Sequence, residues 1–155
     1  MINQFKEEKY GLLEAELRAL ISSKDALVSS LSNFTAAVQN HFNFLWAGFY
    51  LVEGEELILG PFQGPVACTK IAFDRGVCGK AWSSKKTVLV KDVHQFPDHI
   101  ACSSDSNSEI VIPLLDKKGK VVGVLDIDSI EFNYFDDTDQ QWLEKIIKWF
   151  VSEVY

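Results

Sequence analysis

The sequence predicts an α+β fold, with helices packed against an antiparallel sheet. Three observations predict it. Apolar residues recur at steps of three and four near both ends of the chain. The middle is rich in strand formers and breaks at short turns. The order is helix, helix, several strands with short insertions, then helix, and no internal repeat or linker interrupts it.

Each element has its own signal. Residues 5–21 carry Tyr10, Leu13, Leu17 and Leu20 on one helical stripe. A second helix is expected after Ser22 and Ser23, a plausible cap, with Leu27, Leu31, Phe34 and Val38 on its apolar side. The period then changes. Residues 44–52 are aromatic and apolar, 53–56 read as a turn, and 57–62 return, which is a hairpin. A short strand is expected at 69–73, a short helix at 77–84 entered through Gly76, and a brief strand at 88–90. Residues 91–107 form a long polar loop, a length that marks function or disorder. The embedded Phe96, Pro97 and Ile100 favour an ordered, functional loop. A second hairpin joins 109–115 to 121–128, with Gly119 in its turn. Asp136 and Asp137 cap a last helix with the stripe Trp142, Ile146, Trp149 and Phe150.

The 155 residues are one domain's worth. Hydrophobic residues make up 47%, with 4 Trp and 11 Phe, enough for a full core without disulfide staples. A net charge of −7 argues against nucleic acid and against an anionic membrane surface as partners. The N-terminus lacks the basic start and apolar run of a signal peptide, and no stretch is long and apolar enough to span a bilayer. A cytoplasmic location is therefore expected. In that reducing compartment cysteines are more often catalytic, metal-binding or inert than structural.

The candidate chemistry lies in carboxylates, aromatics and thiols. Strand alternation places Val122, Val124, Asp126 and Asp128 on one face, so an apolar face ends in two acids. Either the strand runs out into solvent there or the acids line a site. Glu109 begins the neighbouring strand and, across a tight hairpin, should lie near both. Three such carboxyls repel, so one holds a proton near neutral pH unless a cation joins them. Trp46 and Tyr50 share a strand face with Gly48 between them. They are either core aromatics or two walls with room for a ligand.

The 3 cysteines, Cys68, Cys78 and Cys102, each lie in a polar or glycine-bearing stretch. Thiol chemistry is the most economical function for a chain with no phosphate loop or basic patch. A free thiol has a pKa near ~8.5 and needs a helix N-terminus, a cation or hydrogen-bond donors to react at pH 7. Cys78, at the start of the short helix, stands to gain from its dipole. Cys102 follows His94 and His99 and precedes several serines. Buried, inert thiols remain the plainer reading of each. The cysteine spacings match no compact zinc knuckle, so no metal is expected.

Several blocks occur in order: W-A-G-F-Y, L-I-L-G-P-F-Q-G-P-V-A-C, R-G-V-C-G-K-A-W, V-K-D-V-H-Q-F-P-D-H-I-A-C, S-E-I-V-I-P-L and G-V-L-D-I-D-S. Together, from about Asn43 to Trp142, they resemble the free methionine-(R)-sulfoxide reductases, small single-domain GAF proteins. The resemblance implies a GAF-like, six-stranded antiparallel sheet flanked by helices, with residues 1–155 as one domain. It implies reduction of free methionine-R-sulfoxide with no resident cofactor, recycled by an external dithiol such as thioredoxin. It casts Cys102 as the attacking cysteine, Cys68 as its resolving partner and Cys78 as an auxiliary thiol. Glu109, Asp126 and Asp128 match the family's acidic cluster, and Trp46 and Tyr50 its aromatic walls. A homodimer stays open. So do two rival classes: a non-catalytic GAF small-ligand module and a zinc-stapled domain.

Overall fold

The computed structural model describes residues 1–100 and 102–155. Its elements are α1 (Ile2–Leu20), α2 (Leu27–Phe42), β1 (Trp46–Glu53), β2 (Glu56–Gln63), β3 (Lys70–Ala72), α3 (Gly76–Ser84), β4 (Val88–Val90), β5 (Ser108–Leu115), β6 (Val121–Ser129) and α4 (Asp137–Val154). The strands form one antiparallel sheet in the order β3-β2-β1-β6-β5-β4. This is the predicted α+β architecture.

The sheet has two differently used faces. Ala47, Phe49, Ile110, Ile112, Leu125 and Ile127 pack against Leu13 and Leu17 of α1, Phe34 and Val38 of α2, and Ile146 and Phe150 of α4. That is the main core. The opposite face carries Trp46, Tyr50, Val111 and Val124 and is covered by α3 with Val77, Cys78 and Ala81. A period of two along each strand sorts these sets. The acids predicted on the Val124 side therefore belong to the face under α3.

Local chemistry explains several ends. Asp136 accepts from the backbone N–H of Thr138 and Asp139, and Asp139 accepts in return from the Asp136 N–H, a full capping box for α4. Asp116 accepts from Lys118 and Lys120 N–H and closes the β5–β6 turn. α2 differs from expectation. It begins at Leu27 with Ala26 at its N-cap, several residues beyond the serines. Ser22 Oγ instead accepts from Lys24 N–H within its own turn, so the serine pair stabilises a connection rather than a helix start. The apolar stripes shift slightly as well. Ile21, not Leu20, is buried after α1, while Leu143 and Ile147 join Ile146 and Phe150 inside α4. Trp142 and Trp149 border that core, one stacked on Tyr10 and the other under the Arg18 guanidinium.

Candidate active site

Sheet register assembles the acids. Glu109 of β5 pairs with Asp128 of β6, and Asp128 pairs on its other side with Trp46 of β1. One row along, Val111 pairs with Asp126 and Asp126 with Gly48. The hairpin argument from the sequence is confirmed, since all of these acids lie on the face under α3. They are not a strand running out into solvent. Glu109 and Asp126 are buried, and Asp128 is bonded by the Ser106 hydroxyl, which donates to its Oδ1 at 2.6 Å.

Burial is the first cause of their electrostatics, and mutual repulsion the next. Burial and then the Asp128 charge hold Glu109 well above the usual carboxylate range. Burial and then the Glu109 charge do the same to Asp126. Asp128 is raised by burial and by Asp126, against the opposing Ser106 hydrogen bond. A proton is therefore retained within the cluster near neutral pH.

The aromatics deliver more than walls. Trp46 stacks between Tyr50 and Phe62, with ring centroids 5.9 and 5.2 Å apart. Gly48 does not open a gap for a ligand between the two predicted rings. The space a Cβ would need there is already filled by the Trp46 ring and Phe62 Cβ. Glycine is required so that Trp46 can lie flat over the strand. Both polar tips then reach the loop after β2. Trp46 Nε1–H donates to the Pro65 carbonyl at 3.1 Å, and the Tyr50 hydroxyl donates to the Cys68 carbonyl at 2.9 Å.

That loop and the long polar loop meet over the acids. Cys68 and Cys102 form a disulfide, with Cα atoms 5.4 Å apart. The polar loop is tied down at its base, where Val93 N–H donates to the Asn107 carbonyl and Asn107 Nδ2–H to the Ile130 carbonyl. Ala101, which lies in one of the sequence blocks, falls outside the described residues. Gly76, at φ 60°, starts α3, and Ile100 packs within 3.1 Å of where a Cβ would sit, seating the Cys102 loop on the helix.

Cys78 lies in the first turn of α3, as the sequence predicts, but its side chain is only 3% exposed and the expected gain in reactivity is absent. Burial, followed by the charges of Asp126 and Glu109, pushes its thiol well up. These effects overwhelm any help from the dipole of a 9-residue helix.

A small pocket results, lined by Trp46, Tyr50, Cys78, Cys102, Glu109, Asp126 and Asp128 among others, with Cys68 bonded to the lining Cys102. The space open to the centre of a water molecule is about 40 Å³. The structure thus brings every predicted site residue into one neighbourhood. It adds residues the sequence did not single out. His99 Nε2 lies 3.5 Å from Glu109 Oε2, and Ser106 holds Asp128. Burial lowers the His99 pKa. His99 was visible only as a neighbour of Cys102, because a loop has no period to say what its side chains reach.

Comparison with known proteins agrees with this geometry. Residues 30–147 match the family described as the GAF domain. The chain is 52% identical over 144 residues to GAF domain-containing protein A of Dictyostelium discoideum, covering 92% of this chain and 90% of that one. It is 43% identical over 143 residues to the free methionine-R-sulfoxide reductase of Escherichia coli, covering 92% and 86% respectively. A crystal structure of free methionine-R-sulfoxide reductase from Neisseria meningitidis, in complex with its substrate, is 42% identical with a TM-score of 0.88. That match covers 99% of this chain and 90% of the other.

Proposed function

The chain belongs to the free methionine-R-sulfoxide reductases, a family built on the GAF domain, and from that premise we propose how its own residues reduce free L-methionine (R)-S-oxide to methionine. The observation that carries the scheme is the Cys68–Cys102 disulfide over a pocket floored by proton-retaining carboxyls. In the dithiol form, the Cys102 thiolate attacks the sulfoxide sulfur. A protonated member of the Glu109, Asp126 and Asp128 cluster gives its proton to the departing oxygen. Methionine leaves and Cys102 holds the oxygen as a sulfenic acid. The Cys68 thiol then displaces it, forming the disulfide and releasing water. A dithiol protein of the thioredoxin type, in the cytoplasm, restores both thiols by exchange. The electrons come from that external dithiol, so the scheme needs no resident cofactor.

Specificity for the free amino acid follows from charge. An α-ammonium is held by the remaining carboxylates, whereas a peptide-bonded methionine has lost that charge. Sites built around a polar contact reject analogues that lack it by large factors. Trp46 and Tyr50 offer faces to the thioether end. Cys78, buried and held protonated, stands aside from the electron path.

The test is chemical. The reduced chain, given racemic free methionine sulfoxide and a dithiol, should consume the R epimer and leave the S epimer. Cys102→Ser should abolish methionine formation. With thioredoxin in place of a small dithiol, Cys68→Ser should release about one equivalent and then stall. Sustained turnover at the wild-type rate would remove Cys68 as the resolving thiol.

A further inference from the structure

The Cys78 thiol has no part in that scheme, yet it faces the acids. Its Sγ, an oxygen of Glu109 and an oxygen of Asp126 lie within 4.8 Å of one another. His99 Nε2 is 3.5 Å from Glu109 Oε2. Asp126 is only 7% exposed, and its Oδ1 has no hydrogen-bond partner among the described residues. A buried, unpartnered carboxylate oxygen beside a second carboxyl is an unmet demand for a cation.

We propose that Cys78, Glu109 and Asp126 bind one Zn²⁺ ion, with His99, which stands beside Glu109 but outside that 4.8 Å group, swinging in as the fourth ligand. The donor set selects the ion. A thiolate with imidazole and carboxylates suits a borderline-soft tetrahedral cation, whereas magnesium and calcium take oxygen donors alone. Tetrahedral zinc holds its ligand atoms roughly 3.5 Å apart, so the donors need to draw in by about 1 Å. On ligation the thiol proton and the proton shared by the carboxyls leave to water, and the ion takes over their role of quenching the acids' repulsion. Arg75, which also lines the pocket, lies with its guanidinium 3.9 Å from Asp98. The pocket's 40 Å³ admits an ion or a few waters while the disulfide is closed. Resting on the reductase reading, the ion occupies the place of the substrate ammonium, so metal and amino acid exclude each other.

The disulfide form suits the test, because Cys78 is its one free thiol. Cobalt(II) added to that form should bind once per chain and give a sulfur-to-cobalt charge-transfer band in the near ultraviolet. Zn²⁺ should erase the band at one equivalent. Cys78→Ser should remove the band, and Asp126→Asn should weaken binding at least tenfold. In the C68S/C102S chain, where Cys78 is again the one thiol, saturating free methionine sulfoxide should cut the band by more than half. Absence of the band in the folded wild-type chain overturns the site, as does full binding by Asp126→Asn. A band that methionine sulfoxide leaves untouched overturns the shared place. Normal sulfoxide turnover with no band sinks the metal site alone, whereas a band without turnover sinks the reductase reading alone.

Discussion

Asp126 shows how a single residue sets function against stability. Its carboxyl is buried beside Glu109, with one oxygen unpartnered among the described residues, and its pKa is raised by burial first and the Glu109 charge next. The folded chain therefore binds that proton more tightly than the unfolded chain does. The associated stability is fully present below the ordinary carboxylate pKa and is lost as pH rises through the raised native value. Asp126→Asn keeps the shape and removes the charge. The ligand-free variant should match the wild type near pH 4 and exceed it by about 1–3 kcal/mol at pH 8, on the scale of one buried unsatisfied polar group. Urea denaturation at the two pH values measures this, and a less stable variant at pH 8 contradicts it. Catalysis should fall together with the rise in stability. This pairing of acids was legible in the sequence, because a period of two and a tight hairpin are enough to bring Glu109, Asp126 and Asp128 together. The state of Cys78 was not. Its place at a helix start is a local fact, whereas its buried, acid-flanked setting depends on strands far away in the chain.

At the scale of elements, β1 works as a bracket. One face of it fills the main core through Ala47 and Phe49, and the other sends two polar tips into the loop that carries Cys68. Tyr50→Phe keeps the ring and drops the hydrogen bond to the Cys68 carbonyl. The loss should cost about 1 kcal/mol of stability in the disulfide form. It should also slow closure of the Cys68–Cys102 bond while leaving the first equivalent of methionine unchanged within about twofold, a split that rapid-quench kinetics can read. Equal slowing of both steps would mean that the hydroxyl serves the substrate instead. α1 is held by a different device. Lys6 Nζ bonds Asp139 at 2.5 Å, Asp136 at 3.1 Å and the Tyr134 carbonyl at 2.9 Å, and the Tyr10 hydroxyl donates to Asp139 at 2.8 Å. Asp139 is fully buried. Lys6→Ala leaves that carboxylate without its cation and should destabilise the fold by about 3–5 kcal/mol, as breaking one side of a buried pair does. Helices and strands were visible from their periods, but these side-chain reaches were not. From the sequence alone, Gly48 left open either tight core packing or a gap between two rings. The structure fills it with Trp46 itself, since a strand's period sets which face a ring leaves from and not how it lies.

On the proposed scheme the whole molecule alternates between a dithiol form and the disulfide form, and the structure is the disulfide form. Among the described residues no helix is long and apolar enough to cross a membrane. With Cys68 joined to Cys102, the loops after β2 and before β5 are clamped together over the acids, and the remaining space is about 40 Å³. That is room for a few waters and too little for an amino acid with a sulfoxide side chain. Product must leave before or as the clamp closes, and fresh substrate has to wait for a reductant. The clamp also restrains the unfolded chain. Residues 34 apart in sequence are cross-linked, a restraint that the chain-entropy estimate sets at about 4 kcal/mol. Reduction should therefore lower the stability by up to that amount and loosen the loop around Cys102, visible as faster amide exchange over 96–107. The binding consequence is sharper. Free methionine sulfoxide should bind the C68S/C102S chain at least tenfold more tightly than the disulfide form, measured by calorimetry. Equal affinity for both would mean that the substrate reaches the acids by another route, and the disulfide would then be a store of oxidising equivalents and not a gate.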